Sequence, residues 1–158
     1  VYDGIDDCSR FVGAKVMNHP TQESTIVFLK ELIARSPFRI SAVRTDQGRE
    51  FAKAVTEFLS TQGIDHRKNP PYTPQHNGKI ERYHRTFKEE EANSWPFHAT
   101  QEELNYRLQL WLKEYNFRKK HTGLGMKKLT PVEKIVYSLI SNSFNPSNGN
   151  GLLQQNKI

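Results

Sequence analysis

Between Asn69 and Gly78 the chain reads Asn69-Pro70-Pro71-Tyr72-Thr73-Pro74-Gln75-His76-Asn77-Gly78. Each proline fixes φ and withholds a backbone N–H, so neither a helix nor a strand ladder crosses this segment. The break separates a first part that alternates strand and helix signals from a second part that reads as helical.

Before the break, residues 1–6 and 11–16 read as short strands joined by the turn residues Asp7-Cys8-Ser9-Arg10, which predicts a β-hairpin. Thr21 is placed to cap a helix whose apolar stripe is Ile26, Leu29, Lys30, Leu32 and Ile33, ending near Ser36-Pro37. Residues 38–44 alternate apolar and polar side chains and predict a strand that runs into the loop Thr45-Asp46-Gln47-Gly48. Phe51, Val55, Phe58 and Leu59 mark a second helix closed by Gln62-Gly63, and residues 64–68 suit a short strand.

After the break, a helix is predicted to run to about Ala92 and to stop before Trp95-Pro96-Phe97. Thr100 to Glu103 has the pattern of a capping box, opening a helix with Leu104, Leu108, Trp111, Leu112 and Tyr115 on its apolar face. Thr130-Pro131 starts a last short helix. From Asn142 the Asn, Ser, Gly and Gln composition reads as a disordered tail. This order is that of an α/β fold, with one domain over residues 1–135 and a helix end and tail over 136–158.

Composition narrows the function. The chain has 158 residues, 35% hydrophobic and 25% charged, which is a globular balance. No apolar run approaches the roughly 20 residues of a membrane helix, so no membrane partner is expected. One cysteine, Cys8, excludes an internal disulfide and a Cys-rich zinc module. The net charge of +6 and pI near 9.5 come from basic residues at 66–68, 79–88, 118–120 and 127–128. Such a field attracts a polyanion by counterion release, although a solvated basic surface has the same composition.

Two carboxylates stand out by position. Asp46 directly follows a strand, where α/β folds gather ligands, yet an Asp there also caps turns. Glu81 heads the helix after the proline-rich loop, where the macrodipole favours any acid. Glu81, Arg85 and Lys88 share one helix face, while Ile80, Tyr83, His84 and Phe87 are free to carry the packing. An i,i+4 ion pair between Glu81 and Arg85 is the ordinary alternative.

Several segments occur in a telling order: Ile5-Asp6-Asp7-Cys8-Ser9-Arg10-Phe11, Arg44-Thr45-Asp46-Gln47-Gly48-Arg49-Glu50-Phe51, residues 71–86, residues 115–122, and Leu129-Thr130-Pro131-Val132-Glu133. Together they resemble the catalytic core of the retroviral-type integrase superfamily, most like Asp-Asp-Glu transposases of bacterial insertion sequences. The resemblance implies an RNase H-like fold, a mixed sheet flanked by helices. It further implies DNA transposition or integration by metal-dependent phosphodiester cleavage and strand transfer. Such enzymes use Mg²⁺ or Mn²⁺ in a two-metal site.

Carried onto this sequence, Asp46 is the second catalytic and metal-binding carboxylate and Glu81 the third. Lys79, Arg82, Arg85 and Lys88 become candidate DNA contacts, and Asn77-Gly78 would shape the loop. Gln47 stands where the family usually has Asn. The partners implied are double-stranded DNA (element ends and target) and further copies of the full-length protein, in a bacterial cytoplasm.

The family's first catalytic Asp lies on a strand upstream of the segment matching Val1–Asp7, and that central strand is missing from these residues. Asp3, Asp6 and Asp7 are alternative ligands, although Asp6 and Asp7 fall in the hairpin turn, within reach of Arg10. The start at Val1 leads us to expect a partial chain, weakly active or inactive alone. A catalytically dead DNA-binding module, or an RNase H-like nuclease, is the competing expectation.

Overall fold

The computed structural model describes residues 1–69 and 78–143. Strands β1 (Tyr2–Ile5) and β2 (Val12–Lys15) pair antiparallel, with Tyr2 opposite Lys15 and Ile5 opposite Val12. The turn between them is held by Asp6, whose backbone N–H donates to the Phe11 carbonyl at 2.8 Å. Arg10 takes a positive φ of 64° there. The predicted hairpin is formed.

Helix α1 (Gln22–Arg35) begins where Thr21 was read as its cap, with Thr21 and Ser24 capping each other's backbone N–H groups. Its buried face is Thr25, Phe28, Leu29 and Leu32, rotated from the stripe read in the sequence; Ile26 and Ile33 are only partly buried. The partners decide this. Tyr2 reaches across from β1, its ring 5.8 Å from that of Phe28 and its hydroxyl 3.1 Å from Ser24 Oγ. Leu32 packs over Gly13, where a Cβ would collide with it.

Strand β3 (Ala42–Thr45) starts later than the alternation from residue 38 suggests. Its parallel partner β4 (Asp65–Lys68) begins only after α2 (Lys53–Thr61) has turned through Gln62 and Gly63, at φ +66°. The register opposes Ala42 to Asp65, so β4 has no residue opposite positions 38–40. A short 3₁₀ turn, Arg49–Phe51, leads into α2.

The proline-rich segment 70–77 lies outside the described residues, as does the expected tail from residue 144 on; residues 142 and 143, expected in that tail, instead end the last helix. Helix α3 (Gly78–Glu90) is followed by a 3₁₀ turn at Ala92–Ser94, then α4 (Gln101–Phe117) with the Thr100–Glu103 capping box the sequence predicts. Helix α5 (Pro131–Ser143) is capped the same way by Thr130 and Glu133 and runs across residue 135.

Two buried clusters result. One joins β1 and β2 to α3 and α4 through Ile5, Val12, Tyr83, Phe87, Leu108 and Leu112. The other joins β3 to α1 and α2 through Phe28, Leu29, Val43, Val55, Leu59 and Ile64. Each strand pair thus has its own core. Helix α4 also closes the outer edge of β2 with side-chain amides. Asn116 accepts from Val12 N–H at 2.9 Å and donates to Val12 C=O at 2.8 Å, and Asn105 does the same for Val16 at 2.9 and 3.0 Å.

Candidate active site

Asp46 leaves the C-terminal end of β3, and its Oδ1 accepts from the Gly48 N–H at 2.8 Å. That bond turns the chain away from the strand. Gln47 Nε2 donates to the Asn69 carbonyl at 3.2 Å, tying the turn to the residue after β4. Glu81 sits in the first turn of α3, where unpaired N–H groups favour an anion. Both carboxylates are exposed, and both line one cavity of about 820 Å³. Neither forms an ion pair among the described residues.

The three early aspartates are otherwise engaged. Asp3, on β1, accepts from His84 Nε2 of α3 at 2.9 Å, and this hydrogen bond raises the imidazole pKa against partial burial. Asp7 is paired with the Lys79 ammonium, which also donates to the Asp7 carbonyl at 3.1 Å. Asp6 points into its own turn, where Oδ2 accepts from the Ser9 N–H and hydroxyl, both at 2.7 Å. Burial pushes its carboxyl pKa up. Arg10 pairs with neither carboxylate; it donates to the Asp7 carbonyl.

Among the described residues no three His, Cys, Asp or Glu side chains gather to hold a metal ion. Asp46 and Glu81 have the right chemistry for a hard cation, with exposed oxygens not committed to a basic side chain. Mg²⁺ is commonly held by one or two carboxylates, completed by water and substrate phosphate. By donor chemistry the two carboxylates suit such an ion.

On α3, Arg82, Arg85 and Lys88 are exposed and form no ion pair among the described residues, and the alternative Glu81–Arg85 pair is not made. Lys79 differs, because Asp7 already holds its charge. Tyr83 and Phe87 carry the packing as read from the sequence, but His84 does not. It is half exposed and turned toward Asp3 at the cavity. No local pattern signals this contact, because its partner lies on a strand far away in the chain.

Two family models described as "Integrase core domain" match the chain, one over residues 1–74 and the other over residues 62–131. The chain belongs to the integrase catalytic core superfamily. The range of the first model includes Asp46 and that of the second includes Glu81.

Among relatives of this integrase core, a putative integrase, ORF3 of Spiroplasma virus SpV1-C74, is 29% identical over 152 residues, covering 80% of this chain and 40% of its own length. The retrovirus-related Pol polyprotein from transposon RE1 of Arabidopsis thaliana is 37% identical over 83 residues, covering 51% of this chain. The chain spans only 6% of that polyprotein. The catalytic core domain of BIV integrase superposes with a TM-score of 0.68 at 27% identity, covering 88% of this chain and 86% of that one. A chain of the simian T-cell lymphotropic virus intasome gives 0.62 at 22% identity, covering 82% and 45%, a likeness of fold alone. The RNase H-like α/β architecture is that of retroviral integrase cores.

Proposed function

We propose that Asp46 and Glu81 of this chain are ligands of a divalent-metal site that cuts and joins DNA. The observation that supports this most is the meeting of those two carboxylates at one cavity, beside the basic face of α3. Asp46 and Glu81 would hold Mg²⁺ or Mn²⁺ from the ends of β3 and α3. When bound, the metal supplies the positive charge that activates a water or 3′-hydroxyl and stabilises the leaving oxygen. Arg82, Arg85 and Lys88 would meet the phosphate backbone without reading bases. Double-stranded DNA as element end and target, a multimeric full-length enzyme and a bacterial cytoplasm belong to the same reading. It is supported by a relative named as a putative integrase.

A second reading has its own support. Asp46 Oδ1 is already used by Gly48, and the described residues gather no third ligand, as in a DNA-binding module without catalysis. Mn²⁺ binding, followed by paramagnetic resonance, separates the two. Asp46→Asn and Glu81→Gln are each expected to weaken it at least about tenfold, an effect of roughly 1.4 kcal/mol. DNA binding should survive in both variants. If neither substitution changes Mn²⁺ binding, the non-catalytic reading replaces the first.

A further inference from the structure

Residues 115–132, which join α4 to α5, hold five Lys and Arg and no Asp or Glu. Within them the His121 N–H donates to the Leu129 carbonyl at 3.0 Å and closes a loop over 121–129. Met126, fully buried, anchors that loop in the protein. Two tight turns follow one another inside it. The Met126 N–H donates to the Gly123 carbonyl at 3.0 Å, and the Leu129 N–H donates to the Met126 carbonyl at 2.9 Å. The first turn has Gly125 at φ 81°, the residue that such a turn calls for. The second has Lys127 at φ 53° and Lys128 at φ 61°. Positive φ at both central positions suits Asn and Gly, and long L side chains resist it. Backbone strain of this kind collects at ligand-holding positions, where the side chain rather than the backbone decides the residue.

Both lysines are exposed, and neither forms an ion pair among the described residues, whereas Arg118 and Lys119 are held by Glu114 and Glu90. Lys127 is aimed at α5. Its ammonium lies 4.8 Å from the centre of the Tyr137 ring and donates to the Tyr137 hydroxyl at 3.0 Å. The Lys134 ammonium, from one turn earlier on the same helix, lies 5.5 Å from that ring centre. One exposed phenol thus gathers two ammonium groups, and no carboxylate pairs with either among the described residues. Like charges held this close repel, and an anion placed between them relieves the repulsion. The loop also reaches α3, because a Cβ at Gly123 would lie 3.9 Å from Arg82 Nη1. The patch continues the basic face of α3.

We propose that Lys127, Lys128 and Lys134 form a second phosphodiester contact, which takes the backbone of duplex DNA beyond the stretch met by α3. The inference rests on the reading of α3 as a DNA-contacting helix and adds a surface on other elements. Two ammonium groups at one ring suit the charge of a single phosphate, and Lys128 on the same turn meets the next. Ammonium groups on long stems act on phosphate as point charges, so this contact sets position along the duplex and reads no base.

The strained turn supplies the experiment. Lys127→Asn combined with Lys128→Gly installs the residues this turn prefers, so the melting temperature of the whole chain should rise. The same double substitution removes two phosphate contacts. On a duplex of random sequence the slope of log K against log salt should therefore fall by about 1.8, about 0.9 for each contact. Lys134→Gln, which leaves the turn intact, should lower it by about 0.9. Inorganic phosphate at matched ionic strength should not displace the duplex. A more stable chain with weaker, less salt-dependent binding supports the proposal. Slopes unchanged in both variants, while the parent binds duplex, overturn it and leave the reading of α3 standing. Absence of salt-dependent binding by the parent overturns both. Displacement by inorganic phosphate that disappears in the double variant also overturns the proposal, because the patch then holds a free anion.

Discussion

His84 shows how one residue changes meaning once its partner is known. Counted along α3 it belongs with Tyr83 and Phe87, but its ring leaves the core to bond Asp3 across the cavity. That bond raises its pKa, so its contribution to stability is fully present below the unfolded value of about 6.5 and is lost as pH rises through the folded value. His66 and His121 have the opposite sign. Burial lowers both, so the stability they confer is present above about 6.5 and lost as pH falls through their folded values. His66 has both ring nitrogens occupied by hydroxyls, Thr45 at 3.0 Å and Thr56 at 2.7 Å. The loss of stability on acidification is therefore partly offset by His84. His84→Gln should make the fall between neutral pH and about pH 5.5 steeper, measured as the urea midpoint against pH. A parallel curve with the same slope would show that the Asp3 contact contributes nothing in solution.

At the scale of elements, local signals located most of the chain. The Thr21 and Thr100 caps, the helix start at Pro131, the hairpin turn and Gly63 all act within a few residues of themselves, and all are legible in the sequence; the Thr130 cap is seen only in the structure. What depends on a distant partner was not. The buried face of α1 is chosen by Tyr2, and the start of β3 by the late start of β4. Asn116 is the clearest case. It is buried on a helix face otherwise made of Leu108, Leu112 and Tyr115, and only the edge of β2 explains it. Asn116→Ala would leave the N–H and C=O of Val12, a residue 1% exposed, without partners. We expect a loss of about 2–6 kcal/mol in chemical denaturation, from about 1–3 kcal/mol for each of the two orphaned groups. Asn105→Ala, whose amide serves a half-buried Val16, should cost less. A loss under about 0.5 kcal/mol at Asn116 would mean that water replaces the amide and the edge is not closed by α4.

For the whole molecule, the positive charge is more informative once its partners are placed. Lys79 is paired with Asp7, Lys15 with Glu31, Arg107 with Glu91, Arg118 with Glu114 and Lys119 with Glu90. These pairs mute several of the basic runs that the sequence alone presents as one field. Arg82, Arg85 and Lys88 remain unpaired on α3 within the described residues, on the helix that begins with Glu81. A side chain that meets phosphate releases counterions, and the slope of log K against log salt falls by about 0.9 for each such contact on duplex DNA. Replacing Arg82, Arg85 and Lys88 one at a time with Gln should therefore lower the slope by about 0.9 per residue. Lys79→Gln should change it less, since its ammonium must first leave Asp7. Slopes unchanged from that of the parent in all four variants would place the DNA on another face, and would separate the basic helix from the carboxylates it flanks.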